Sequence, residues 1–278
     1  MAVNREDINR EDIKGLVRER YGARAQRVIE LSPIVEHGAG ENADSCGCGP
    51  SASSCCGPED MEHALRLYNE GQLSGLPAES IAASAGCGNP TALAGLQAGE
   101  RVLDLGSGGG IDCFLSAQQV GATGHVTGLD MTPSMLELAR KNQASLGLTN
   151  VEFVQGEMEA MPLPSDSYDV IISNCVVCLS PDKDAVFSES FRVLTPGGRI
   201  HLSDVLALTP EGPAVTDAES WVSCAAGAEY HEIYIDRMRR AGFEDIEVAG
   251  EGVEFWDDSE KATYTNTASF KVTARKPA

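Results

Sequence analysis

The run Val102-Leu-Asp-Leu-Gly-Ser-Gly-Gly-Gly-Ile-Asp112 constrains what this chain can fold into more than any other stretch. Its apolar first half reads as a strand buried on both faces. Gly106, Gly108, Gly109 and Gly110 then strip the turn of Cβ atoms. The backbone can reverse sharply there and lie against a ligand, with the following helix aiming its N-terminus at the same point.

The rest of the middle region keeps that rhythm. Strand-like runs at Arg101–Leu105, His125–Asp130, Val151–Gln155, Tyr168–Asn174 and Arg199–Val205 alternate with helical stretches at Ile111–Val120, Pro133–Leu146 and Asp182–Leu194. Alternation of this kind predicts an α/β fold with a doubly wound, mostly parallel, Rossmann-like sheet. The tail changes character. Helices over Asp217–Ala226 and Ile233–Ala241 precede two consecutive strands, Asp245–Glu254 and Thr263–Arg275, which most simply form an antiparallel edge.

Ahead of the sheet, Asn4–Glu30 reads as an amphipathic helix with Asn4 as its cap and a solvated charged face. Ser32–Gly57 is a Gly-, Ser- and Cys-rich loop, and helical patterning returns at Asp60–Glu70 and around Pro77–Ala85. Three units follow: residues 1–60, an N-terminal helix and Cys-rich loop; 61–205, the ligand-binding sheet; and 206–278, an α+β region completing the sheet.

Glycine spacing narrows the ligand. Dinucleotide sites use G-x-G-x-x-G. Here Gly106, Gly108 and Gly110 give G-x-G-x-G, Ile111 stands where the last glycine belongs, and Asp104 precedes the turn. A pyrophosphate wants neither that charge nor that spacing, whereas a cationic sulfonium with an amino-acid tail tolerates both. The next strand ends in Asp130, where α/β sheets place ligands and acidic groups grip ribose hydroxyls.

These residues resemble the class I S-adenosylmethionine-dependent methyltransferases, from about Gly99 to Asp204. The resemblance implies S-adenosylmethionine as co-substrate. It places Asp104, Gly106 and Gly108 along the methionine half, Asp130 on the ribose and Met131 on the adenine. Gly156-Glu157-Met158 becomes the adenine-edge loop, with Glu157 where relatives usually carry Asp, and Asn174 lies near the reacting centre.

Nine cysteines remain to be explained. The N-terminus lacks an apolar leader, and no stretch approaches the roughly 18 apolar residues of a spanning helix. The expected compartment is therefore the cytoplasm, where thiols stay reduced and serve as ligands or redox groups. Cys87 lies in Ala85-Gly-Cys-Gly-Asn-Pro90, Cys175 in Ser173-Asn-Cys-Val-Val-Cys178, and Cys224 in Trp221-Val-Ser-Cys-Ala-Ala-Gly227. All three are expected to converge on the sheet's C-terminal edge.

Together with Leu179-Ser-Pro-Asp-Lys183, these contexts resemble the arsenite methyltransferases, from about Leu16 to Phe243. The resemblance implies that Cys87, Cys175 and Cys224 bind As(III), assisted by an N-terminal cysteine, here Cys55 or Cys56 of the group with Cys46 and Cys48. Such relatives usually have Asn where this chain has Cys178. The implied substrate is arsenite or its glutathione conjugate, and the implied partner is a thiol reductant of glutathione or thioredoxin type, in arsenic detoxification.

Elementary chemistry agrees with that reading. Soft thiolates suit a thiophilic centre. Three sulfurs leave As(III) pyramidal, its lone pair free for in-line displacement at the sulfonium methyl, and no general base is needed. Rate then comes from alignment and exclusion of water.

Other readings compete. The cysteines are incidental if the acceptor is a small organic molecule, and the chain is a metalloid- or redox-sensing thiol protein if it does not turn over. Cys113 reads as a small core hydrophobe, and the N-terminal cysteines as a possible zinc site. With 42 acidic against 21 basic residues, the net charge of −21 argues against nucleic acid and anionic membranes as partners.

Overall fold

Seven strands form one sheet in the computed structural model, which describes residues 8–36, 66–213, 215, 217–222, 224–250 and 266–278. They are β1 (Arg101–Leu105), β2 (His125–Asp130), β3 (Val151–Gln155), β4 (Tyr168–Asn174), β5 (Leu194–Ala207), β6 (Glu244–Gly250) and β7 (Thr267–Arg275), in the order β3-β2-β1-β4-β5-β7-β6. The first five run parallel, and β7 pairs antiparallel with both β5 and β6. The fold is thus the expected doubly wound sheet with an antiparallel edge.

Local sequence accounts for most of these elements. β1 is buried at every residue after Arg101, as a strand covered on both faces must be. Helices α1 (Arg10–Glu36), α2 (Glu70–Leu73), α3 (Ala78–Ala82) and α4 (Pro90–Ala94) precede it. Helix α5 (Ile111–Val120) springs from the glycine turn, and α6 (Pro133–Leu146) has Pro133 at its first position and left-handed Gly147 at its end. Asp182 caps α7 (Lys183–Val193), accepting the Ala185 N–H at 3.1 Å. Helices α8 (Ala218–Trp221), α9 (Cys224–Gly227) and α10 (His231–Ala241) lead into β6, and Tyr234 and Met238 of α10 are fully buried in the core formed with α7 and the sheet.

Three expectations need correction. Helix α1 starts near Asn9, whose side chain accepts the Glu11 N–H at 3.0 Å, and continues through Ser32–Glu36, the start of the expected loop. β5 begins at Leu194 because that residue bridges to Tyr168 before β4 changes register. The single helix expected over Asp217–Ala226 is two short ones, since Trp221 turns inward and donates its indole N–H to the Leu179 carbonyl at 3.2 Å. Asn4 and the cysteines at 46, 48, 55 and 56 lie outside the described residues. No helix among the described residues is long and apolar enough to cross a membrane.

Candidate active site

The chain runs outward from β1 to β3, then returns to place β4 on the other side of β1. Crevices at such a reversal open at the strands' carboxyl ends. Leu105 is in register with Ser173, so Gly106 and Asn174 leave the sheet side by side. Gly106 has φ +69°, and a Cβ there would meet the Val176 side chain at 2.5 Å. Only glycine fits. Cys175 itself sits at φ +60°, an uncommon conformation for a residue with a side chain. Its N–H donates to the Ser203 carbonyl at 2.7 Å, which fixes the departing chain to β5.

A cleft open to solvent occupies this crevice. Asp104, Gly106 and Gly108 form one part of its wall. Asp130, Met131, Gly156 and Met158 form another, and Asn174 and Cys175 line it as well. Asp130 accepts the Gly108 N–H at 2.9 Å and the Thr132 N–H at 2.8 Å, so its carboxylate fixes the glycine turn.

Charge in the cleft is unbalanced. Burial pushes the Asp104 carboxyl well above its usual range, and the charges of Asp112 and Asp130 push the same way. Asp112, also buried, is raised to about 6, although it accepts hydrogen bonds from Asn174 and from the Tyr68 hydroxyl, the latter at 3.0 Å. Burial likewise raises Asp130. Three desolvated carboxyls facing one cleft favour a cationic ligand. S-adenosylmethionine carries positive charge on both sulfonium and ammonium, and these residues fit it.

Helix α1 covers the opening with Lys14, Val17 and Tyr21. Lys14 Nζ lies 2.6 Å from the Glu157 carboxylate and 3.6 Å from that of Glu159, and Arg18 pairs with Glu157 as well. The Glu157 side chain is therefore turned to α1 and does not line the cleft, contrary to the sequence expectation. Glu159 lines it instead and accepts the Ser180 hydroxyl at 2.5 Å.

Cys175 belongs to a second group as well. Its thiol makes hydrogen-bonding contacts with those of Cys178, Cys224 and Cys87, which raise it well above an ordinary thiol. Trp221, Leu179 and Val205 enclose the group in apolar surface. Cys224 is shifted oppositely: hydrogen bonds from Cys175 and Cys178 hold it well below the usual thiol range, with Tyr21 assisting. Its own S–H lies 3.6 Å from the Cys175 carbonyl.

The structure thus brings Cys87, Cys175 and Cys224 together, but the tightest trio is another. The sulfurs of Cys175, Cys178 and Cys224 all lie within 4.8 Å of one another, while Cys87 joins the group through Cys175. Cys113 is buried as expected, yet donates its S–H to Asp104 at 3.2 Å. Sequence reasoning missed Asp112, Tyr68 and Glu159. Asp112, directly after the glycine turn, was the one with a visible signal.

Fold and cleft define a class I methyltransferase. A methyltransferase-domain family model matches residues 96–263. The arsenite methyltransferase of Halobacterium salinarum is 40% identical over 98% of this chain, which spans 68% of that relative's length. The arsenite methyltransferase of Aquipseudomonas alcaligenes is 40% identical over 69% of the chain, spanning 56% of that protein. An arsenic (III) S-adenosylmethionine methyltransferase of Chlamydomonas reinhardtii superimposes with a TM-score of 0.63 at 37% identity, over 77% of this chain and 73% of that one. The chain belongs to the arsenite methyltransferase family.

Proposed function

We propose that this protein transfers the methyl group of S-adenosylmethionine to trivalent arsenic held by cysteine thiolates. One observation carries the reading: Cys175 is both a wall of the cleft and the centre of the thiol group. An atom bound in that thiol group would be held beside the cleft wall. With the acceptor held beside the methyl donor, alignment, not acid–base chemistry, supplies the rate.

Asp104, Gly106 and Gly108 would hold the methionine half of S-adenosylmethionine, and Asp130, Met131, Gly156 and Met158 the nucleoside. Bound there, it supplies a methyl group on a positively charged sulfur, which the arsenic lone pair can accept by in-line displacement. The chain's own residues do the rest. Cys224 displaces a first oxygen or thiol ligand from arsenic. Cys175 presents the arsenic to the cleft. Asn174 holds the two loops in register: its Oδ1 accepts the Cys87 N–H at 2.9 Å, and its Nδ2 donates to the Gly88 carbonyl at 2.8 Å. Trp221 and Leu179, with α1 above, exclude water.

Arsenite or its glutathione conjugate is the expected acceptor, with a glutathione- or thioredoxin-type thiol as reductant. A cytoplasmic setting suits reduced thiols. The test is to incubate the full chain with S-adenosylmethionine, arsenite and excess glutathione and to separate arsenic species. Methylated arsenic is expected, and Cys175→Ser should abolish it with cofactor affinity nearly intact. A folded, cofactor-binding chain that methylates no arsenic overturns the reading.

A further inference from the structure

We propose that Cys178 is an arsenic ligand, and that Cys175, Cys178 and Cys224 together form the site where As(III) is captured. The inference rests on the arsenic reading of this cleft and deepens it by naming a thiol that the family resemblance leaves out.

Three observations point there. First, the sulfurs of Cys175, Cys178 and Cys224 lie within 4.8 Å of one another with nothing bound between them. Ligand sulfurs at about 2.3 Å from a common centre in a pyramid stand roughly 3.5–3.8 Å apart, so modest side-chain adjustment closes the set. Second, Cys178 is fixed from several sides. It is fully buried, its carbonyl accepts the Lys183 ammonium at 3.0 Å, and its thiol hydrogen-bonds to the buried carboxyl of Asp204. Asp204 is held in turn by the Tyr234 hydroxyl at 3.1 Å. Third, Cys87 touches this group through Cys175, and its own loop is secured elsewhere: Ser269 donates to the Cys87 carbonyl at 2.9 Å. Pre-positioned ligands backed by hydrogen-bonded partners are what a binding site needs.

The capture step is an exchange without redox change. Each As–O bond of arsenous acid breaks as an As–S bond forms, and the thiol proton leaves with the hydroxide as water, three times over. With a glutathione conjugate, three As–S bonds exchange and three glutathione thiols are released.

Arsenite titration by calorimetry tests this, using the full chain with Cys46, Cys48, Cys55 and Cys56 changed to Ser so that the remaining thiols report. Cys178→Ser is expected to weaken binding by at least about 100-fold, and Cys87→Ser by less than about threefold. Arsenic X-ray absorption should show three sulfurs in the parent and in Cys87→Ser, but two sulfurs and an oxygen in Cys178→Ser. Three sulfurs in Cys178→Ser, or a larger loss from Cys87→Ser, overturns the inference while leaving arsenic methylation standing. A parent chain that binds no arsenite overturns both. Should Cys178→Ser not fold, the sulfur count in Cys87→Ser alone decides: three supports the inference, two refutes it.

Discussion

Asn174 Oδ1 accepts the N–H of Cys87 at 2.9 Å, and this bond joins two cysteine-bearing loops that lie 87 positions apart in the chain. The same amide oxygen takes the Gly88 N–H at 3.2 Å. Its nitrogen donates to the Gly88 carbonyl, the Tyr68 hydroxyl and the Asp112 carboxylate. One side chain at the end of β4 thereby sets the distance between the thiol group and the acidic wall of the cleft.

Asn174→Asp is therefore expected to be far from conservative. It keeps the shape but turns the donor into a second acceptor facing the Gly88 carbonyl and Asp112. Losing those bonds and burying an opposed charge should cost on the order of 2 kcal/mol. Denaturant unfolding would register it as a lower midpoint. Arsenite affinity should fall with it. A midpoint equal to the parent's would mean that the amide donor contributes nothing.

A second prediction concerns Gly227, at the end of the short helix that carries Cys224. A Cβ at this position would overlap the Cys178 carbonyl oxygen. Gly227→Ala must push α9 away from the Val177–Leu179 turn and separate Cys224 from Cys178. Overpacking of this kind costs roughly 1–3 kcal/mol. Arsenite binding should weaken while S-adenosylmethionine binding, made by other residues, stays near the parent value. Calorimetry with each ligand separates the two effects.

Much of this architecture could be read from residue order alone. Parallel strands buried on both faces announce themselves as short apolar runs, and the bounds of β1 to β4 follow directly from such runs ended by Gly, Asp or Asn. The convergence of Cys87, Cys175 and Cys224 was legible for another reason, because each stands beside small or polar residues flanking the sheet-forming region. What could not be read was set by contacts between distant segments. Nothing local to Asp217–Ala226 says that the Trp221 indole will seek the Leu179 carbonyl and break the helix. Nothing near Tyr68 hints at its bond to Asp112. The charges of α1 read as a solvated face because their partners, Glu157 and Glu159, lie more than a hundred residues away. Cys178 stood in the same strand-end segment as Cys175, but its closeness to Cys224 depends on how α9 returns to the sheet.

The pairing of α1 with the cleft's rim leads to a third prediction. Lys14 and Arg18 meet Glu157, and Arg10 meets Asp182. Each partly exposed pair is worth at most about 1 kcal/mol and is screened by salt. Glu157→Gln removes the shared acceptor. S-adenosylmethionine should then dissociate a few-fold faster at low ionic strength, and raising the salt should slow or speed it little further. In the parent, added salt should accelerate dissociation toward the variant's rate. Stopped-flow displacement at two salt concentrations measures all four values, and identical salt dependence in both proteins would show that the α1 ion pairs do not retain the cofactor.

The last prediction follows from Asp112, whose carboxyl is moved from 3.8 to about 6, mainly by burial. A group with a raised folded-state pKa contributes stability that is complete below its unfolded value and disappears as pH rises through the folded one. Without a cationic ligand, then, Asp112 should cost the fold up to about 3 kcal/mol as pH climbs from 4 past 6. Asp112→Asn removes that cost, so the variant should gain on the parent across this window and hold a constant advantage above it. The difference between the two curves is the quantity to measure, because His201 works in the opposite sense. Burial holds its imidazole down at about 4, so the stability it provides is whole above 6.5 and is lost as pH falls below that. Ligand binding should reverse the ranking. The positive charge of S-adenosylmethionine repays the ionised Asp112, and the Asn variant, more stable when free, should bind it about tenfold more weakly at pH 8. Thermal melts with and without the cofactor give both halves of the test. A variant that binds as tightly as the parent would show that the acidic wall is not what recognises the cation.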